Sequence, residues 1–312
     1  MARRGGFNPV LSRSVSHERS MRSAVKTRFI VNPRSGRALR ALPTVKRFAA
    51  QHGADVILTE RSRHATELAT NALAEGFELI VAVGGDGTMN EVASALIDTN
   101  GILGLIPCGS GNGLGRHLGI HGSLRHALGV LLRGTPHLID SGLADGHPFF
   151  TVAGLGFEAE IAQRFNLLKR RGFLRYLATT VRAFSRWTPK RYAISYPNGR
   201  TELEAFTLAV ANSDQYGNNA TIAPGARADD GQLDLCTIPP LTALNTVPLA
   251  TLLFCGRVDR QRGVFLRRAT EFVVEREGPG PLHTDGETHE AGNIVKFSIR
   301  PASLRILVPA KS

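Results

Sequence analysis

From Lys26 onward, short apolar runs alternate with segments whose apolar residues recur every three to four positions. Phe29-Ile30-Val31 is the first run and reads as a buried strand. Ala38 to His52 follows, with Leu39, Leu42, Val45 and Phe48/Ala49 at helical spacing, and Gly53 ends it. Val56-Ile57-Leu58 is the second strand, leaving Thr59 at its carboxyl end, and Thr66 to Glu75 is a helix closed by Gly76. Glu78 to Val83 reads as the third strand, Glu91 to Asp98 as a helix and Ile102 to Ile106 as the fourth strand. Leu124 to Leu132 is a further helix, which Ser123 is placed to cap. This alternation predicts a Rossmann-like α/β fold, a parallel sheet with helices on both faces.

Near Asp140 the pattern changes. Phe149 to Val152, Tyr192 to Tyr196, Phe206 to Val210, Leu233 to Ile238, Phe272 to Glu275 and Ile294 to Ile299 are short alternating runs. Pro197-Asn198-Gly199 between two of them is a hairpin signal. The expectation is an α/β domain over 25–139 and an antiparallel β-sandwich over 140–300. The run Leu304 to Val308 is expected to return to the first domain, which 301–312 would complete. Residues 1–24 are Arg/Ser-rich with little apolar content and read as a disordered basic tail. The same composition suits an organellar transit peptide, with Met21 a candidate natural start.

Charge narrows the partners. The net charge is +12, and in the first 28 residues seven basic side chains stand against Glu18 alone. An excess of this sign suits nucleic acid, anionic lipid or nucleotide. With four Tyr, one Trp and no nucleic-acid module, lipid surface and ATP are favoured and nucleic acid is not. Between Ile161 and Lys190 there is no acidic residue, and Arg175, Arg182 and Arg186 share one helical face opposite Phe173, Leu177 and Phe184. A basic amphipathic helix of this kind suits an anionic bilayer surface; an ordinary helix with a solvated Arg face fits the same residues. Cys108, Cys236 and Cys255 are scattered without metal-ligand spacing, as in a reducing, cytoplasmic setting. The longest apolar run, Val247 to Cys255, falls short of the ~18 residues of a membrane span. The chain is therefore expected to be soluble or peripheral to the membrane.

Three strands run into polar, glycine-bearing loops: Asn32-Pro33-Arg34-Ser35-Gly36, Gly84-Gly85-Asp86-Gly87-Thr88 and Pro107-Cys108-Gly109-Ser110-Gly111-Asn112. At one carboxyl edge of a parallel sheet they would form a phosphate cradle, because glycines let backbone N–H groups and a helix N-terminus approach the anion. Asp86 does not bind phosphate directly; it acts through Mg2+ or holds the loop. For the second loop alone, a tight turn capped by Asp and Thr is the plainer reading.

Asn-Pro-Arg-Ser-Gly (32–36), Gly-Gly-Asp-Gly-Thr-Met-Asn-Glu-Val (84–92) and Pro-Cys-Gly-Ser-Gly-Asn-Gly-Leu-Gly-Arg-His-Leu-Gly-Ile (107–120) together resemble the diacylglycerol kinase catalytic family, which includes bacterial lipid kinases, sphingosine kinases and ceramide kinases. The resemblance runs from about Lys26 to Val308. Three motifs in order are specific, whereas GGDGT alone also occurs in phosphofructokinases and NAD kinases. The resemblance implies ATP bound at Asn32, Thr59, Gly84, Gly85, Asp86, Gly87, Thr88, Asn90, Glu91, Gly109, Ser110 and Asn112. It implies an acid/base at Asp285 of Asp285-Gly286-Glu287, taking the lipid hydroxyl's proton as the γ-phosphoryl group arrives. Glu287 and His283 are weaker catalytic candidates on the same stretch, better suited to orienting Asp285. It implies a structural Mg2+ held by Asp230 and the Gln232 carbonyl, with Asp140 linked to the metal network through waters. The plainer readings are a DG turn at 285–287 and a hairpin with solvated acids at 229–234. One departure stands out: many bacterial members carry an acid after the Asn of the third loop, and here Gly113 stands there, as in sphingosine- and ceramide-type kinases.

The expectation is an ATP- and Mg2+-dependent lipid kinase acting on diacylglycerol or a sphingoid-type lipid at the membrane surface. An exposed edge strand of the β domain would allow a homodimer. The alternatives are an NAD kinase-like enzyme with a soluble substrate and a non-catalytic lipid- or nucleotide-binding regulator.

Overall fold

The computed structural model describes residues 25–166, 187–217 and 219–310. The basic tail and the Arg175, Arg182, Arg186 face lie outside the described residues.

The first part runs β1 (Thr27–Val31), α1 (Ala38–Gln51), β2 (Asp55–Leu58), α2 (His64–Ala74), β3 (Leu79–Gly84), α3 (Asp86–Leu96), β4 (Ile102–Pro107), α4 (Gly113–His117) and α5 (Leu124–Arg133). The strands pair in parallel in the order β2-β1-β3-β4. Register places Val31 opposite both Leu58 and Val83, and Val83 opposite Ile106. The chain therefore leaves the sheet at one level at Asn32, Thr59, Gly84 and Pro107. Every residue of β3 is buried, as a central strand covered by helices requires. Phe29 packs edge-on against Phe48 of α1, while α2 and α3 lie side by side, with Thr66 Oγ1 donating to the Glu91 carbonyl at 3.0 Å.

Two helix starts differ from expectation. The helix expected from Glu91 begins at Asp86, behind an extended Gly85, so Asp86-Gly87-Thr88 is the first helical turn rather than a loop. The helix expected from Thr66 begins at His64. The start at Leu124 agrees, with Ser123 Oγ accepting from His126 N at 3.1 Å.

The remainder comprises β5 (Thr135–Ala144), β6 (His147–Phe149), β7 (Val152–Gly156), α6 (Phe157–Asn166), β8 (Lys190–Tyr196), β9 (Gly199–Ala205), β10 (Thr207–Ala211), β11 (Gln215–Gly217), β12 (Ala220–Thr221) and β13 (Leu233–Ile238). It continues with α7 (Ala243–Phe254), β14 (Phe265–Ala269), β15 (Glu271–Arg276), β16 (Gly280–Thr284), β17 (Glu287–Ala291) and β18 (Ile294–Val308). Tyr196 pairs with Gly199 across the hairpin, which closes on Pro197-Asn198. An antiparallel sheet of order β14-β13-β10-β7-β16-β17 faces β15, β8 and β9 across a core that includes Phe149, Leu155, Leu208, Leu235, Phe272 and Phe297. That pair of layers is the β-sandwich. A further cluster, with Phe157, Ile161 and Leu249, lies where α6 and α7 cover the antiparallel sheet. No helix among the described residues is long and apolar enough to cross a membrane.

The two parts are not separate sheets. β18 pairs with β15 at one end, runs antiparallel to β5 and pairs in parallel with β4 through Arg305 and Ile306. The parallel sheet thereby continues into the sandwich as one ten-stranded sheet. Position 139/140 falls inside β5, and 301–308 continues the strand that begins at Ile294.

The loop edge is packed backbone on backbone. Gly36 has φ +51°, and a Cβ on it would lie 2.0 Å from the Cys108 carbonyl oxygen, which already accepts from Arg37 N at 2.9 Å. A Cβ on Gly109 would lie 2.7 Å from Gly85 Cα. Gly36→Ala is therefore expected to destabilise the protein by about 2–5 kcal/mol, combining left-handed strain with overpacking. Urea unfolding measures this, and an unchanged midpoint contradicts it.

A second expectation concerns pH. His289 stacks on His147 at 3.7 Å and its Nε2 lies 2.8 Å from Thr284 Oγ1. Burial, then the neighbouring His147, Arg63 and His283, push its pKa down to about 4. An unfolded histidine titrates near ~6.5, so between there and about 4 the unfolded chain binds the extra proton. Stability is thus full above that window and lost as pH falls through it. His289→Asn should flatten the slope of unfolding free energy against pH there; an identical slope counts against the assignment.

Candidate active site

The loops at the sheet edge are fixed to one another by hydrogen bonds that leave little freedom. Ser35 Oγ accepts from Gly85 N at 2.7 Å, and Asn32 Nδ2 donates to Thr88 Oγ1 at 3.1 Å. Asp86 ties down the third loop: Oδ2 accepts from Asn112 N and Oδ1 from Gly113 N, both at 2.8 Å. The carboxylate thus sits at the start of α4 and holds the loop, one of the two roles open to it. Burial raises its pKa, and the two amide bonds oppose that rise. A Cβ on Gly111 would come within 2.7 Å of Asp86 Oδ2, so a side chain there would displace the carboxylate. Asn112, at φ +53°, closes the loop on Gly109, accepting its N–H at 3.0 Å and donating to its carbonyl at 2.8 Å.

Most of the nucleotide positions expected from the sequence lie together. Thr59 is buried at the same edge, its N–H donating to the Val31 carbonyl at 2.9 Å, and Ser110 is exposed at the loop tip. Glu91 has a different task. Its carboxylate accepts from Arg63 N at 3.1 Å and Ala65 N at 2.9 Å, supplying the anion at the start of α2 that Arg63 itself does not provide.

Facing this edge is the turn between β16 and β17. Asp285 occupies it at φ +49°. Its Oδ1 accepts from Thr151 N at 2.9 Å, Val152 N at 3.1 Å and the Thr151 hydroxyl. Its Oδ2 accepts from Phe150 N at 2.9 Å and Asn90 Nδ2 at 2.8 Å. Five donors exceed the roughly four lone-pair sites of a carboxylate, so at least one bond is shared. Asn90 belongs to the glycine-motif helix, so this carboxylate joins α3 to the sandwich. Asn212 supports the 150–152 segment, donating to the carbonyls of Asp140 at 3.0 Å and Phe150 at 3.1 Å.

Glu287 reaches the same place: a Cβ on Gly87 would lie 3.6 Å from its Oε1. Burial, then the charge of Glu91, raise its pKa; Arg63 opposes this and Asp285 adds to it. No hydrogen bond to its carboxylate is present among the described residues. His283, expected to orient Asp285, instead places Nε2 3.5 Å from Glu158 Oε2.

The expected metal positions are otherwise engaged. Asp140 accepts from Gly231 N and Ala302 N, both at 2.7 Å, and so pins the 230–232 turn to β18. Asp230 accepts from Gln232 N at 3.1 Å, and its other oxygen lies 3.3 Å from Arg268 Nη1. No group of three or more His, Cys, Asp or Glu among the described residues is arranged to hold a metal ion. The carboxylates of Asp140 and Asp230 thus do not fit as a Mg2+ cradle, because they already face N–H donors and a guanidinium.

Thr151, Asn212 and Arg268 have no motif to announce them, since each acts on residues far away in the chain. The same is true of two links between α4 and the 214–219 segment, His117 Nδ1 to Asp214 Oδ1 at 2.7 Å and Arg116 Nη1 to Asn219 Oδ1 at 2.6 Å. Gly113 has a physical reason as well: a Cβ there would lie 3.2 Å from Thr151 Cγ2 and 3.3 Å from the Gln215 carbonyl oxygen.

Residues 26–144 match the diacylglycerol kinase catalytic domain, and residues 151–308 match the YegS C-terminal NAD kinase beta sandwich-like domain. A Pseudomonas aeruginosa (strain UCBPP-PA14) protein described as "Probable lipid kinase YegS-like" is 34% identical over 280 residues, which is 88% of this chain and 90% of that protein. A Stenotrophomonas maltophilia (strain K279a) protein of the same description is 28% identical over 269 residues, 82% of this chain and 87% of that protein. The crystal structure of a diacylglycerol kinase from Bacillus anthracis str. Sterne superposes with a TM-score of 0.69 at 20% identity, covering 92% of this chain and 97% of that one. With both halves matched in order and the loops built as the motifs require, the chain belongs to the YegS-like lipid kinase family, whose first domain is the diacylglycerol kinase catalytic domain.

Proposed function

We propose that this protein transfers the γ-phosphoryl group of ATP to the hydroxyl of a lipid, diacylglycerol or a sphingoid-type lipid, presented at a membrane surface. The observation that carries the reading is the convergence of Asp285 and Glu287 on the Gly84–Asn90 stretch, through the Asn90 bond at 2.8 Å and the approach to Gly87. The description of the Pseudomonas relative as a lipid kinase supports the acceptor class.

In this reading the phosphates lie over Gly84, Gly85 and Gly87, beside the start of α3, whose first-turn amides have no intrahelical partner. Asn32, Thr88 and Ser110 flank them with neutral polar groups. A Mg2+ ion arriving with the nucleotide would neutralise developing charge on the phosphates. The lipid hydroxyl enters against the 285–287 turn. Asp285 fixes the turn and orients the hydroxyl, and of its five donors three are backbone amides while the Thr151 hydroxyl and the Asn90 amide are side-chain groups that can turn away. Glu287, half-buried and with a raised pKa, completes the pair that takes the proton.

Two variants separate these tasks. Asp285→Asn sets an NH2 group against backbone donors, so it should lose turnover by at least about a hundredfold and also lower stability by about 1–3 kcal/mol. Glu287→Gln should keep the unfolding midpoint while lowering kcat. Because the Glu287 pKa is raised, wild-type kcat should fall as pH drops through it, and the glutamine variant should lack that acid limb. Transfer of labelled phosphate from ATP to diacylglycerol, a sphingoid base, ceramide, monoacylglycerol and a polyprenol in mixed micelles measures all three proteins. Labelling of one lipid class supports the reading. Transfer to a soluble nucleotide alone, or ATP binding with no transfer, refutes it.

A further inference from the structure

The 229–234 turn carries three carboxylates, Asp229, Asp230 and Asp234, in six residues, at the joint where β13 meets the β5–β18 crossing. Such a density of acid calls for a cation. Asp229 is answered by Arg227 Nε and His137 Nε2, both at 3.0 Å. Asp230 and Asp234 are answered together by Arg268: Nε and Nη2 grip the two oxygens of Asp234 at 3.1 and 3.2 Å, and Nη1 lies 3.3 Å from Asp230 Oδ2. Arg268 Nη2 also donates to the Gly225 carbonyl at 3.3 Å. We propose that the Arg268 guanidinium is the resident cation of this turn, in the place where the family resemblance puts a structural Mg2+, so that the joint is metal-independent.

The arginine is positioned by the sheet. Asp234 and Arg268 stand directly opposite each other in the β13–β14 register, which is the geometry in which oppositely charged cross-strand pairs meet. The bidentate grip suits guanidinium against carboxylate and costs little ordering of the planar fork. Mg2+ demands near-octahedral oxygen ligands at ~2.0–2.1 Å. Here the two Asp230 oxygens already face Gln232 N and the guanidinium, and the Gly225 carbonyl faces the same arginine. A dication entering among these oxygens would have to expel a positive group held by a paired strand. Asp140 cannot rescue the site, since both its oxygens accept backbone amides.

The test needs neither ATP nor lipid, so it stands or falls apart from the kinase reading. Thermal unfolding of the nucleotide-free, full-length protein is followed in EDTA and in millimolar Mg2+, and Mn2+ binding is read by electron paramagnetic resonance. Wild type should show the same midpoint in both buffers. Arg268→Gln should gain one Mn2+ site per chain and a midpoint that rises with Mg2+, and adding Asp230→Asn should remove both gains. Arg268→Lys, which keeps the charge, should stay insensitive to metal. Folding of Arg268→Gln in Mg2+ but not in EDTA gives the same support. The proposal is overturned if wild type binds Mn2+ or is stabilised by Mg2+ in a way that Asp230→Asn abolishes. It is equally overturned if Arg268→Gln folds without acquiring any response to metal. The wild-type and Asp230→Asn comparison decides the matter even where the glutamine variant does not fold.

Discussion

The carboxylate of Asp285 is the interaction on which the rest of the candidate site depends. Three successive amides from Phe150 to Val152, a threonine hydroxyl and the Asn90 amide all converge on it. Hydrogen bonds to a charged acceptor are each worth about 1.5–3 kcal/mol, roughly twice a neutral one. The anion therefore sets where β7 starts, how the 285–287 turn is aimed and how closely α3 approaches the sandwich. A single charged group fixes the distance between the glycine-bearing loops and the 285–287 turn.

The same device recurs. Asp86 accepts two amides of the third loop, Glu91 accepts two at the start of α2, and Asp140 accepts one from each of two distant segments. Acids beside glycine-rich loops invite a metal-ligand reading, yet in this chain they mostly organise backbone. Glu287 differs in having no hydrogen-bond donor among the described residues, and its pKa is raised by burial and by Glu91. Structural acids and a chemically available one thus sit side by side, separated by what each already accepts.

Local signals and long-range ones were unequally visible in the chain. Apolar periodicity located β1 to β4 and their helices because each element buries a face set by its own residues. The three glycine loops were legible for a related reason: a Cβ at Gly36 or Gly109 has nowhere to go, so the sequence must carry glycine there. The start of α3 is not legible in the sequence, because the glycine and aspartate of its first turn have the composition of a loop, whereas Gly85 is the cap. Thr151, Asn212 and Arg268 left no trace, since a side chain that bonds across more than thirty positions has no period. His283 was drawn to Asp285 by adjacency in sequence, whereas strand alternation turns it toward Glu158.

The strand Ile294–Val308 has a bearing on the order in which the protein can be assembled. Its far end lies parallel to β4, and Leu304, Ile306 and Leu307 join the core of the nucleotide half. During synthesis that half emerges first, yet the outer edge of β4 stays bare until about two hundred further residues, the separation of the Ile102–Arg305 pair, have been made. An unpaired strand edge over an incomplete core is the kind of surface that recruits chaperones or a second nascent chain. At synthesis rates of about 5–20 residues per second, that exposure lasts on the order of ten seconds or more. The two halves are thus bound in time as well as in space: the diacylglycerol kinase catalytic domain cannot mature until the end of the sandwich domain has been read.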